Sequence, residues 1–326
     1  MIVSIAVVAY NEEAYLPKLL EDILAQDYPK EKTEVLLIDS CSVDGTKALM
    51  EGFKEQYQEA YHGVMVLDNP GQYLPQGCNV MLSHYTGDAI CRIDAHASIP
   101  SDFIRQNVAV LENGEYVSGG PRPNIIDEDT PWKKTLLIAE QSKFGSGAAD
   151  YRADEKQMYV DSLFHGMYKR EVYEKVGPYN ETLRYTEDND MSYRIRQAGY
   201  KMCYSPSVKS YELIRPNLRK MLKQKFRNGL WIGKTLKVNP HCFSLFHFVP
   251  ALFVVAIVIT AVIAGIGFPW LCVAMWGLYI FLSIVFLIIG SIQEGFRLTN
   301  LALPGIFAAM HVCYGIGTII GIFSKV

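Results

Sequence analysis

The sequence predicts an α/β domain with a mostly parallel sheet flanked by helices, followed by a C-terminal region of membrane-spanning helices. Three observations predict it. Short apolar runs alternate with helical patterns over roughly the first 240 residues. Several of those runs stop abruptly at acids or amides, as strands do at the ligand-binding edge of an open parallel sheet. After residue 242 the composition changes to long uncharged apolar stretches.

The runs IVSIAVVAY, EVLLID, GVMVLD and AICRID have strand length and are separated by helical segments, the order that yields parallel strands covered on both faces. In the first helix Leu16, Leu19, Leu20, Ile23 and Leu24 recur at helical spacing and make one apolar face. This soluble domain is expected to cover residues 1–215. Residues 216–240 are basic: Lys and Arg recur from Arg215 to Lys237, and no acid follows Glu212 in this stretch. Leu218, Met221, Leu222, Phe226, Leu230 and Ile232 add an apolar face, so the segment reads as a helix lying on a membrane surface; the plainer alternative is a solvated helix packed on the domain. Residues 243–323 hold three apolar stretches, each near the roughly 20 residues that span a bilayer core. Their tandem order outweighs a buried-core reading, although Pro304 and His311 interrupt the third. Basic residues before the first span place the soluble domain on the cytoplasmic side and the C-terminus outside.

A net charge of -3 excludes a strong global nucleic-acid footprint. Seven cysteines without a CxxC pair argue against a disulfide framework or zinc site and for a reducing compartment. The opening MIVSIAVVAYNEE has no basic n-region and no small-residue cleavage site, so no signal peptide is expected and the sequon at Asn180 should stay unmodified. GSGAAD at 145–150 lacks the full GxGxxG and no strand closely precedes it, so it reads as a mobile loop.

The strand ends carry the candidate chemistry. Asp94 and His96, in RIDAH, are spaced i, i+2, which in an extended segment puts both side chains on one face. Together they could hold a divalent cation, Mg2+ or, with imidazole present, rather Mn2+; a polar turn before Pro100 is the bland alternative. Asp39 leaves its strand directly, whereas Asp44 in VDGT reads as a turn or cap residue. Glu187, Asp188 and Asp190 open a helix, where acids favour the dipole, and one of them could equally serve as a general base.

The order of these signals resembles glycosyltransferase family 2: SIAVVAYNEE, VLLIDSCSVDGT, GDAICRIDAH, HGMYKREVYEKVGPYNETL and TEDNDMSYRIRQAGYKMCYSP follow the family's motifs over roughly residues 1–230. The resemblance implies a GT-A fold and an inverting transfer from a nucleotide sugar. It implies that the Tyr10-Asn11-Glu12 turn and Asp39 hold the nucleotide base, with Asp39 accepting from a uracil ring nitrogen. It implies Asp94 on the ribose and diphosphate side, His96 on the metal, Asp188 as general base, and Glu187 beside it. Gln224 and Arg227 resemble a Gln-x-x-Arg near the diphosphate. There are departures. Ser40 and Cys41 replace Asp-Gly, His96 replaces the second aspartate, Asn228 stands where processive members carry Trp, and Tyr211 sits about where many members carry a late metal-contacting His. Asp-Ala-His is similar to the succinoglycan-type bacterial exopolysaccharide glucosyltransferases.

The expected activity is transfer from a UDP-sugar to a hydroxyl of a lipid-linked glycan acceptor at a cell membrane, in exopolysaccharide or cell-surface glycan synthesis, with polysaccharide-assembly proteins as possible partners. The rival readings are a non-catalytic membrane-anchored nucleotide-binding module, motivated by His96, and a transporter, weakened because the spans contain no Asp, Glu, Lys or Arg.

Overall fold

The computed structural model describes residues 1–146 and 157–326, so residues 147–150 of GSGAAD lie outside the described residues. Among the described residues the chain divides into two compact units, 1–123 with 157–212, and 124–146 with 213–326.

The first unit is a mixed eight-stranded sheet. Strands β1 (Val3–Ala9), β2 (Thr33–Asp39), β3 (Gly63–Asp68) and β4 (Ala89–Asp94) are parallel, and α1 (Leu16–Leu24), α2 (Thr46–Tyr57) and α3 (Leu74–His84) connect them. After β5 (Ala97–Ser98) and α4 (Phe103–Glu112) come β6 (Val117–Gly119), β7 (Asn124–Ile125, in the second unit), β8 (Met158–Val160), β9 (Met167–Lys169), β10 (Met202–Tyr204) and β11 (Tyr211–Leu213). The order is β3-β2-β1-β4-β9-β6-β10-β8, with antiparallel pairing of β9 to β4 and β6 and of β8 to β10.

Strand alternation explains why both faces are apolar. Ile5, Val7, Val35, Leu37 and Ile93 pack into one core with α1, α2 and α4. Ala6, Leu36, Ile38 and Ile90 pack into the other with α3, α6 (Arg170–Val176) and α7 (Glu187–Gln197). Each aliphatic side chain buried this way contributes about 1.5–3 kcal/mol. The same parity sends Arg92 and Asp94, in phase with Ile90, towards the face of α3 and α7. Register sets the site's position: Ala9 pairs with Asp39 and Val8 with Asp94, so the chain leaves three neighbouring strands at one edge.

In the second unit, α5 runs over Pro131–Gln141, N-capped by Thr130, whose hydroxyl accepts from Lys133 N–H at 3.3 Å. Helix α8 (Leu218–Thr235) is capped by Asn217, and its Lys225 reaches Glu140 at 2.6 Å, so one of the basic residues is spent on an internal pair. Helices α9 (Val249–Gly265), α10 (Trp270–Glu294) and α11 (Leu303–Phe323) lie within three stretches long and apolar enough to cross a membrane. The two irregular residues of the third are accommodated. Pro304 sits in the first turn of α11, where no helical hydrogen bond is lost. His311 Nε2 lies 2.7 Å from the Phe144 carbonyl oxygen and Nδ1 2.8 Å from the Tyr279 hydroxyl.

Candidate active site

The loops after β1 and β2 are laced together. Glu12 N–H donates to Thr46 Oγ1 at 2.8 Å, Asn11 N–H to Ser42 Oγ at 3.0 Å, and Val43 N–H to Asn11 Oδ1 at 2.9 Å. Asn11 has a φ of 54°, in the left-handed region that Asn tolerates, and Tyr10 beside it is exposed. Asp44 is a turn residue, as its place in VDGT suggested: its carboxylate accepts from Thr46 N–H and hydroxyl and from Glu13 N–H. Asp39 is buried at the end of β2, where each carboxylate oxygen lies 3.3 Å from Ser42 N.

Asp94 ends β4 inside a ring of cations and donors. Arg92 Nη2 lies 3.6 Å from Oδ1, Arg122 Nη1 3.7 Å from Oδ2, and His165 Nε2 3.2 Å from Oδ2. Burial alone would raise this carboxyl; Arg92 and the His165 hydrogen bond override it and hold Asp94 well below the ordinary carboxylate range. Burial lowers the His165 imidazole against the pull of Asp94, so His165 is neutral there, its Nδ1 3.0 Å from Ser210 Oγ. Arg122 also pairs with Glu212 on β11 at 3.0 Å and stacks on Phe164, 3.9 Å from the ring centroid. His96, in the turn between β4 and β5, faces Glu12: Nδ1 to Oε1 is 3.1 Å. Tyr211, at the late position, pairs with Ser98 across β11 and β5.

Glu187 and Asp188 occupy the first turn of α7. Glu187 is 3 % exposed, its Oε1 lies 3.4 Å from Arg92 Nη1, and among the described residues its Oε2 has no hydrogen-bond partner. Burial, and then the charge of Asp188, push its carboxyl up to about 8 against the pull of Arg92. Asp188 is raised too, by burial, with Arg92 and the Asn189 N–H opposing. It lines a small pocket with Arg92, His165, Tyr168 and Met191. Asp190 braces its own helix, where Arg194 Nε donates to its Oδ2 at 2.9 Å.

Residues 4–177, more than half of the chain, match the sequence model for glycosyl transferase family 2. The chain belongs to that family. This family 2 member is 23 % identical over 324 residues to the dolichyl N-acetyl-alpha-D-glucosaminyl phosphate 3-beta-D-2,3-diacetamido-2,3-dideoxy-beta-D-glucuronosyltransferase of Methanococcus voltae, covering 96 % of this chain and 95 % of the relative. It is 24 % identical over 261 residues to the succinoglycan biosynthesis protein ExoA of Rhizobium meliloti, covering 74 % and 76 % of the two chains. The mannosyltransferase PcManGT from Pyrobaculum calidifontis, solved with GDP-Man and Mn2+, shares the fold with a TM-score of 0.63 at 18 % identity, over 96 % of this chain and 86 % of that one.

At the carboxyl edge of the family 2 domain, the end of β1, Asp39 and Asp94 emerge side by side, and Arg92 links Asp94 to Glu187. Gln224 and Arg227 lie on α8, in the second unit. Arg92, Arg122, His165 and Glu212 were not singled out from the sequence. Two of them left a signal there: Arg92 is a charged residue two positions before Asp94 inside an otherwise apolar strand, and His165 opens the HGMYKREVYEKVGPYNETL motif.

The Glu187 environment predicts a pH-dependent stability. The folded state holds this proton more tightly than the unfolded chain, whose reference value is 4.5. Stability is therefore full below that value and falls as pH rises towards about 8. Glu187→Gln, neutral throughout, is expected to flatten the decline in the unfolding midpoint of detergent-solubilised protein across that window. Parallel slopes in the two proteins would remove the burial argument.

Proposed function

We propose that the chain moves a sugar from a UDP-sugar to a hydroxyl of a lipid-linked glycan acceptor, by a single displacement that inverts the anomeric centre. The observation carrying this reading is the arrangement at one sheet edge, where a donor-type strand end, Asp94, and an acid pair, Glu187–Asp188, approach the same arginine. Tyr10, Asn11 and Glu12, with Asp39 beside them, hold the nucleotide base. Asp94 and His96 face the diphosphate.

The donor set fits a divalent cation, Mn2+ or Mg2+. Asp94 is held ionised, and Glu12 lies where it orients His96 through Nδ1, as carboxylates orient ligating imidazoles. Among the described residues no group of three or more His, Cys, Asp or Glu side chains is gathered to hold a metal, so diphosphate oxygens would complete the coordination. Asp94 and His96 would hold such a cation, which would neutralise charge growing on the leaving diphosphate. Asp188, a stronger base for its burial, takes the proton of the acceptor hydroxyl as its oxygen attacks the anomeric carbon from the face opposite the diphosphate. Glu187, protonated near neutral pH, adds no second charge beside that base.

A membrane-borne acceptor is supported by the three long apolar helices and by the Methanococcus relative, whose name carries a dolichyl phosphate-linked sugar. The basic run from Arg215 to Lys237 supports a cytoplasmic catalytic domain.

The test is nucleotide release from a panel of UDP- and GDP-sugars on membranes containing the protein, with Mn2+, Mg2+ or chelator, beside His96→Ala and Arg227→Ala. The latter is included because the family resemblance gives Arg227 to the diphosphate. Release from one UDP-sugar, lost with chelator and in His96→Ala, is expected. Release from a GDP-sugar alone would overturn the uridine reading. Nucleotide binding without release from any donor, with lipid extract supplied, would favour the binding module.

A further inference from the structure

Arg92 stands between two carboxyl groups that serve different halves of the proposed reaction. Nη2 lies 3.6 Å from Asp94 Oδ1, and Nη1 lies 3.4 Å from Glu187 Oε1. Neither distance is the 2.7–2.9 Å of a committed charge-assisted hydrogen bond, so the guanidinium is shared rather than given to one partner. Its other close neighbour is Cys78 Sγ at 3.5 Å, and Tyr168 and Tyr179 line the same small pocket. The two carboxyl groups depend on Arg92 unequally. Asp94 keeps Arg122 and His165 on Oδ2. Among the described residues Arg92 is the one basic group paired with Glu187, and Glu187 Oε2 has no hydrogen-bond partner. An arginine cannot shed its charge, so the link is cationic at every working pH.

We propose that Arg92 is a positioning residue that couples the donor site to the base: by holding Asp94 and Glu187 at once, it fixes the Glu187–Asp188 turn against the nucleotide-binding edge. The inference rests on the proposed function. It assigns Arg92 a role in the acceptor half of the reaction that its place on the donor strand would not suggest.

The test is a double-variant cycle read by two parameters, the Kd for UDP with Mn2+ and the turnover at saturating UDP-sugar. Arg92→Met is expected to weaken UDP by about threefold, because Asp94 retains two partners, and to cut turnover by about thirtyfold or more, because Glu187 retains no basic partner among the described residues. In a Glu187→Ala background, which removes the oxygen that Arg92 holds, the same substitution should still weaken UDP but cost no more than about threefold further in turnover, since the partner it served is gone. Arg92→Lys, which keeps the charge but loses the two-pronged reach, should restore UDP binding more fully than turnover. If Arg92→Met fails to fold, Arg92→Lys is read in the same cycle. Turnover losses that simply multiply in the double variant, or a loss confined to UDP affinity, would overturn the inference while leaving the donor reading intact. A wild-type protein that neither binds UDP nor releases it from any UDP-sugar would remove the donor reading, and this inference with it.

Discussion

Asp188→Asn is expected to lower transfer by ~10²–10⁴-fold, the range that a positioned general base supplies. The amide keeps the shape of the carboxylate and can still accept the Asn189 N–H that meets Oδ1 at 2.9 Å, so the first turn of α7 should stay in place. It cannot accept the acceptor hydroxyl's proton. UDP affinity should therefore hold within about threefold of wild type while turnover collapses, the split that marks an interaction made only in the transition state. Burial raises the Asp188 carboxyl, which makes it a stronger base and moves the acid limb of the turnover profile upward from the ordinary carboxylate range. Glu187→Gln should cost less near neutral pH, because the native carboxyl, at about 8, is already mostly protonated there. Measuring UDP binding and UDP release side by side decides the matter. Lost binding with residual turnover would take the base role away from Asp188.

The parts of this protein legible in its sequence are those whose physics is local. Strands β1, β2 and β4 announce themselves because both faces are buried, and the α1 stripe of Leu16, Leu19, Leu20 and Ile23 packs into the core as its spacing demands. The strand-end acids were legible for the same reason: a polar residue directly after an apolar run marks an edge. What stayed hidden is long-range. Arg122 sits in a Gly-Pro-rich connection and reads as a surface cation, yet the fold buries it against Phe164, Asp94 and Glu212. His165 opens a motif that the family resemblance picks out, but its partners Asp94 and Ser210 are remote in sequence. Nothing in a single chain says which distant carboxylate will meet which arginine. The short strands β5 and β11 are equally silent, being too short for a period to show.

The glycines of α8 carry the second large prediction. Gly229 and Gly233 are four residues apart on α8, and Gly317 and Gly321 are four apart on α11, the spacing that lets two helices approach backbone to backbone. A Cβ on Gly229 would fall 2.0 Å from the Tyr314 carbonyl oxygen, one on Gly317 2.2 Å from that of Phe226, and one on Gly321 2.1 Å from that of Leu230. Each obstacle is backbone, which cannot swing aside as a side chain could. Gly229→Ala or Gly317→Ala must therefore push the helices apart, and each is expected to cost about 1–3 kcal/mol or more by overpacking, outweighing the better helix propensity of alanine. Gly277→Ala, on α10 with nothing among the described residues within 4 Å of the added carbon, is the control and should be neutral to slightly stabilising, since only the helix propensity changes. Thermal unfolding in detergent compares the three. An unchanged midpoint in Gly229→Ala would mean that the two helices are not held at this distance. The contact also bears on the site residues proposed from the family resemblance, because Gln224 and Arg227 ride on the helix that these glycines seat.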